Sequence, residues 1–250
     1  MTLEDAQVVA AVGPPLEPTV MPRRALRCLD LFCGAGGAGM GLHRAGFEMV
    51  GVDINPQPHY PFTFRQGDAL DADLSGFDLV WASPPCQAYT EMQRMHKNSA
   101  AHRDLVAPMR EKLQAWGGLW IMENVAGSPL RESLMLCGSM FGLRIAKHRF
   151  FEASFELPLL MPPCDHRNLY DPWHGAGRTA DKMREAQGTP WMPHQGGASR
   201  RRGITGDTFN AIPPAYSEFL GRHAMALLAR HNARLSGPKR PPQEYANETD

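Results

Sequence analysis

The sequence predicts an α/β fold: a doubly wound, mostly parallel sheet carrying a small loop-rich insertion. Three observations point to it. Apolar strand-like runs alternate with helical segments between Arg27 and Glu123, a glycine turn follows the first run, and paired prolines stop the fourth. Such alternation calls for parallel strands joined by helical crossovers.

The elements follow in order. Residues 1–22 hold four prolines and no period, and read as a disordered lead. The core is expected over 23–152. Arg27–Phe32 forms its first strand, and Ala38–Ala45 a short helix that Gly46 closes. Glu48–Ile54 and Phe62–Gly67 are the second and third strands. Leu79–Ala82 is the fourth, ended by Pro84 and Pro85, which cannot donate to a ladder. Leu105, Met109, Leu113 and Trp116 recur at helical spacing and predict a helix over Ser99–Trp116, before a fifth strand at Leu119–Glu123. A helix at Ser128–Gly138 and strands at Arg144 and Phe150–Phe155 complete the core. Residues 153–206, rich in Gly, Pro, His and Arg, form the insertion. Residues 207–234 return to the core through a helix at Tyr216–Arg230, for which Pro213 and Pro214 supply the first turn. Residues 235–250 read as a disordered tail.

Composition narrows the class. At 250 residues, with 43% apolar and 21% charged residues, the chain is of ordinary globular type. No apolar stretch approaches the roughly 18 residues of a membrane span. The N-terminus carries Glu4, Asp5 and Glu17 before any Lys or Arg, unlike a secretory signal. A cytoplasmic location is expected, with no membrane and no obligate protein partner. The five cysteines are odd in number and irregular in spacing, which argues against a disulfide framework, and no CxxC pair suggests zinc. Cys164-Asp165-His166, near His174, reads as a Pro-rich polar loop, so no metal is expected. Cys28 and Cys137 lie in apolar runs and read as buried structural cysteines.

Net charge is zero, but its distribution is uneven. Met1–Pro85 has five basic residues against ten acidic; Arg144–Arg202 has ten against six, mostly Arg. A clustered Arg excess suits a polyanion, with a solvated face as the alternative.

The chemistry-bearing motifs sit at strand ends. Leu29-Asp30-Leu31-Phe32-Cys33-Gly34-Ala35-Gly36-Gly37 places a glycine turn at a carboxyl end, where open α/β sheets hold ligands. Asp53 ends the second strand, where a carboxylate can accept ribose hydroxyls, and Asp68 follows the third. No Lys-Ser/Thr pair follows the glycines, which excludes a P-loop. Pro84-Pro85 presents Cys86 at the fourth strand's end, and Glu123-Asn124-Val125 ends the fifth.

Together these motifs resemble the C5-cytosine-specific DNA methyltransferases, over Leu29–Glu152 and again over Asn210–Gly221. The short insertion makes the chain similar to a small member, of phage or prophage type, in a bacterial or phage-infected cell and associated with the nucleoid. The resemblance implies a Rossmann-like fold that binds S-adenosylmethionine. Phe32 would pack on the adenine side, the backbone of Gly34, Ala35, Gly36 and Gly37 would approach the methionine part, and Asp53 would hold the ribose. Ile54, Asp68, Pro84 and Asn210 would complete that pocket.

Carbon 5 of cytosine is a poor nucleophile until electron density is pushed into the ring. A thiolate adding at carbon 6 does this, and Cys86 is the implied nucleophile. Glu123 would hydrogen-bond and protonate nitrogen 3, and Arg149 would stabilise charge at the position-2 carbonyl. Carbon 6 is hidden in a stacked duplex, so the substrate would be DNA with a flipped cytosine, or a single strand. Gln87, Arg94, Lys97, Lys147, Arg200, Arg201 and Arg202 are the candidate DNA contacts, with 87–103 as a mobile lid. Lys147-His148-Arg149 departs from the family's Arg-x-Arg, so only Arg149 carries over directly. Two alternatives stand: methylation of free cytosine nucleotides such as dCMP, which the neutral charge and short insertion favour, and a catalytically silent DNA-binding module.

Overall fold

The computed structural model describes residues 24–87, 89, 104–158, 161–167, 169, 180–192 and 206–236. The expected lead, the lid apart from Gln87 and Tyr89, most of the tail, and Arg94, Lys97, Arg200, Arg201 and Arg202 lie outside them.

Seven strands make one sheet: β1 (Arg27–Leu31), β2 (Glu48–Asp53), β3 (Thr63–Gln66), β4 (Leu79–Ala82), β5 (Leu119–Asn124), β6 (Leu134–Leu136) and β7 (Arg149–Ala153), in the order β3-β2-β1-β4-β5-β7-β6. The first five are parallel; β7 runs antiparallel to both β5 and β6. This is the doubly wound, mostly parallel, Rossmann-like sheet expected from the strand–helix alternation. The strand order reverses between β1 and β4, so their carboxyl ends open a crevice.

The pleat sorts the core into two layers, because successive side chains take opposite faces. Cys28, Leu79, Trp81, Ile121 and Phe151 face α1 (Gly37–Ala45) and the C-terminal helix, while Leu29, Val80, Trp120 and Met122 face α2 (Val106–Trp116). Helix α2 buries Val106, Met109, Arg110 and Leu113, one stripe at helical spacing. It starts at Val106 rather than Ser99, where Asp104 accepts the Val106 N–H at 2.8 Å and meets a free first-turn donor.

Two short helices follow in the later chain, α3 (Ala180–Gln187) and α4 (Gly206–Asn210), and then α5 (Pro214–Ser236). Helix α5 packs on α1 so closely that a Cβ on Gly41 would lie 2.1 Å from the Pro214 carbonyl oxygen. Backbone contact of that kind admits only glycine.

The expected helix at Ser128–Gly138 is instead strand β6 with a 3-10 turn after it, at Gly138–Phe141. Pairing of Leu134–Leu136 with Phe151–Arg149 decides the outcome, a tertiary contact invisible to local pattern. Arg144 lies in a bend, and the last strand begins at Arg149. Among the described residues no helix is long and apolar enough to cross a membrane.

A buried ion pair ties α2 to β7. Arg110 Nε and Nη2 donate to the two Glu152 oxygens at 2.7 and 2.6 Å, with side chains 6% and 7% exposed. Arg110 Nη2 also donates to the Pro129 carbonyl, and Glu152 accepts the Arg131 N–H. Truncating one partner leaves the other charged and buried. Arg110→Ala is therefore expected to cost about 3–5 kcal/mol in urea unfolding, and Arg110→Met with Glu152→Met markedly less.

Candidate active site

Four strand ends converge on a cleft of about 310 Å³. Phe32, Gly34, Ala35 and Gly37 reach it from β1, Asp53 and Ile54 from β2, Pro84, Cys86 and Gln87 from β4, and Glu123 from β5. Arg149 enters the same cleft because β7 is antiparallel, which brings its first residue beside the end of β5. Asn210 closes the rim from the end of α4. Gly36 and Asp68 do not line the cleft. Gly36 instead starts α1 at φ 82°, against Tyr60 and Pro61, and the exposed Asp68 accepts the Leu70 N–H at 2.8 Å.

The turn after β1 is conformationally costly. Phe32 adopts φ 60°, a left-handed backbone that costs a non-glycine residue about 1–2 kcal/mol. That cost turns the following amides across the end of β2, where Gly34 N–H donates to Asp53 Oδ2 at 3.1 Å and Asn55 N–H to Oδ1 at 2.9 Å. Beside this carboxylate, Ile54 is 64% exposed, an apolar side chain left at the cleft edge.

Side-chain hydrogen bonds and an ion pair hold the other end of the cleft. Asn124 Nδ2 donates to the Pro84 carbonyl at 3.0 Å, which fixes the proline break, and Trp81 Nε1 donates to Ser83 Oγ at 2.9 Å. Arg149 Nε pairs with Glu123 Oε1 at 3.0 Å, and Arg149 Nη1 donates to the His148 carbonyl. Burial pushes the Glu123 carboxyl up from its ordinary pKa, against the opposing pulls of Arg149 and a Ser83 hydrogen bond. The half-buried Cys86 thiol is also pushed up by burial; Arg149 lowers it and Glu123 raises it further. Thiol, carboxyl and guanidinium thus form one coupled group.

Lys147 requires a correction. It was expected to contact DNA, yet it is 8% exposed and turned inward. Its ammonium donates to Gln187 Oε1 (3.1 Å), Phe209 O (2.9 Å) and Ala211 O (2.5 Å), which uses all three of its donors.

Several residues of the site escaped the sequence. Asp30 lines the cleft from within β1, almost fully buried, and accepts from the Tyr60 hydroxyl at 3.3 Å. Its only signal was an acid inside an apolar strand. Met192 lines the cleft from beyond α3, and its neighbour Trp191 donates to the Ala35 carbonyl at 3.2 Å. No local pattern announces a contact across that much chain.

With this geometry in hand, residues 26–129 match the C-5 cytosine-specific DNA methylase family. That segment is similar to this family. It spans the glycine turn, Asp53, Cys86 and Glu123, and stops short of Arg149. A type II methyltransferase of Haemophilus parahaemolyticus, M1.HphI, is 32% identical over 84 residues, covering 26% of this chain and 22% of that protein. A 23S rRNA (uracil(747)-C(5))-methyltransferase of Pyrococcus horikoshii is 32% identical over 79 residues, 27% of this chain and 19% of its own length. The chain thus aligns to about a fifth of each curated relative. Among solved structures, the Entamoeba histolytica methyltransferase EhMeth superposes with a TM-score of 0.56 at 11% identity, covering 82% of this chain and 99% of that one. This likeness concerns the fold alone.

Asp30 supplies a test of the site's electrostatics. Burial pushes its carboxyl up to about 7, Tyr60 and the Gly39 amide pull it back, and Asp53 adds to the rise. The native state therefore holds a proton that the unfolded chain releases near pH 4. The stabilisation is fully present below that pH and is lost as pH rises through about 7. Asp30→Asn cannot lose a proton, so the melting temperature of the wild type minus that of the variant should fall between about pH 4 and 7. A pH-independent difference in calorimetry would refute the buried carboxyl.

Proposed function

We propose that the chain is a DNA cytosine-5 methyltransferase that uses S-adenosylmethionine and a covalent Cys86 adduct at carbon 6. The observation that carries this reading is the convergence of Cys86, Glu123 and Arg149 on one cleft with the glycine turn of a C5-methylase-family segment.

The cleft fits such a cofactor. Asp53 at the end of β2 suits a ribose diol, the exposed face of Ile54 and the ring of Phe32 suit an adenine, and the turn's backbone leaves room for a charged amino-acid end. When bound, S-adenosylmethionine supplies an electrophilic methyl group.

The protein's own part is to activate the base. Burial favours the thiol form of Cys86, so its proton passes to solvent in the open cleft as sulfur attacks carbon 6. The C–S bond forms as the ring's 5,6 double-bond electrons move toward nitrogen 3. Glu123, whose raised pKa lets it carry a proton toward neutral pH, donates that proton to nitrogen 3. Arg149 orients the carboxyl and stabilises both the thiolate and the negative charge that develops on the ring. Carbon 5 then carries the density that accepts a methyl group. Solvent then takes the carbon-5 proton, the C–S bond breaks to release the Cys86 thiolate, and the nitrogen-3 proton returns to Glu123, which restores the aromatic base. Gln87, exposed beside Cys86, is the described residue best set to meet the flipped nucleotide.

Fluorine at carbon 5 leaves no proton to remove, so an oligonucleotide carrying 5-fluorocytosine should remain covalently attached to the wild type. Cys86→Ser is expected to give no adduct and to lose at least about a thousandfold in methyl transfer, because a hydroxyl is a far poorer nucleophile near neutral pH. It should keep its thermal shift with S-adenosylmethionine. An adduct in that variant would remove Cys86 from the mechanism.

Gly34, Gly36 and Gly39 also satisfy dinucleotide-type glycine spacing, so a nicotinamide dinucleotide is the control ligand. S-adenosylmethionine should raise the melting temperature and the dinucleotide should not, with Asp53→Ala reducing the shift. Transfer to dCMP but not to duplex DNA would replace the DNA assignment with the nucleotide one.

A further inference from the structure

Away from the cleft, four side chains that the proposed reaction does not use come together. Cys137 follows β6, His148 precedes β7, and Cys164 and His166 lie just beyond β7, in the stretch expected to be a polar loop. Their ligand atoms all lie within 4.8 Å of one another. His166 Nε2 is 3.4 Å from Cys137 Sγ and 3.1 Å from His148 Nε2, which is 3.8 Å from Cys164 Sγ.

These spacings have a specific meaning. Zinc binds sulfur at about 2.3 Å and imidazole nitrogen at about 2.0–2.1 Å in a tetrahedron, whose edges are therefore about 3.3–3.8 Å. Two of the separations, 3.4 and 3.8 Å, fall in that range, and the third, 3.1 Å between the two imidazole nitrogens, lies just below it. Two thiols and two imidazoles are also a closed structural donor set for zinc, leaving no place for a reacting water. The surroundings support the same geometry: Ser139 Oγ donates to Cys137 Sγ at 3.4 Å and accepts the Asp165 N–H at 3.1 Å, bridging two of the contributing segments.

We infer that Cys137, His148, Cys164 and His166 form a structural zinc site that staples the start of the insertion to the strand carrying Arg149. As zinc binds, each thiol releases its proton to solvent and forms an S–Zn bond, while each neutral imidazole gives the Nε2 lone pair. No electron is transferred. Because His148 directly precedes Arg149, the metal holds the backbone from which the guanidinium reaches Glu123. The inference concerns residues outside the family-matched segment and does not depend on the proposed reaction. His174 lies outside the described residues.

The full chain, expressed with zinc and purified without chelator, should contain one zinc per molecule by elemental mass spectrometry. Cys164→Ser and His166→Gln, at half-buried and exposed positions, should reduce the content to background. Arg167→Ala, which among the described residues removes an exposed pairing with Asp165, should leave it unchanged. Cobalt in place of zinc should give the intense visible bands of tetrahedral thiolate coordination, lost in Cys164→Ser, and chelation should lower the melting temperature of the wild type. Absence of metal from the wild type, zinc retained in the Cys164→Ser, His166→Gln double variant, or a Cys137–Cys164 disulfide in the intact mass would each overturn the assignment.

Discussion

The buried ammonium of Lys147 constrains the rest of the site. Its three donors hold Gln187 at the end of α3, Phe209 in α4 and Ala211 in the segment that returns to the glycine turn. Gln187 passes the connection on through Nε2, which donates to the Thr208 carbonyl and Thr189 Oγ1, while the Tyr216 hydroxyl donates back to the Lys147 carbonyl. A buried cation is tolerated only where its donors are met, and burial does press its pKa well down. Removing any one of these acceptors leaves an unmet donor in a dry interior. The return segment is therefore locked to β7, and Ile212 is locked against Gly37, whose missing Cβ makes room for it.

From this lock three consecutive residues point to three tasks. Lys147 joins the later chain, His148 faces the Cys/His cluster, and Arg149 reaches Glu123. Alternation alone separates neighbours on an extended chain. What the antiparallel direction of β7 adds is position: its first residue lies at the carboxyl end of β5, where the parallel strands present their own ends. A parallel β7 would begin at the opposite edge of the sheet. The site thus needs one reversed strand in an otherwise parallel core.

Much of this was legible in the sequence, for physical reasons. β1, β2, β4 and β5 are buried on both faces and so read as continuous apolar runs, and the motifs at their ends are short and local. Phe32, Asp53, Cys86 and Glu123 could be placed because strand ends fix them. The errors have the opposite character. Ser128–Gly138 lacks local definition until β7 pairs with it, and Lys147 read as a surface cation because its acceptors are backbone oxygens and an amide far along the chain. Cys137 reads as a buried cysteine of an apolar run and is buried, and Cys164 and His166 read as loop and lie outside helix and strand; what local reading misses is their meeting. Only folding puts their donor atoms together, without the CxxC spacing that makes such sites visible.

The same long-range character couples the insertion to the glycine turn. Trp191 donates to the Ala35 carbonyl, and Met192 packs with Ala35 and Ala211 in a small buried cluster. Residues that a local reading would assign to target recognition therefore touch the backbone that the proposed cofactor would approach. Ala35 sits between Gly34, bonded to Asp53, and Gly36, held in a left-handed conformation at the start of α1. A shift at Trp191 has no side chain to absorb it at Ala35 and passes directly into the turn. Substitutions in this part of the insertion should thus alter the cleft beside the glycine turn even where they do not line it.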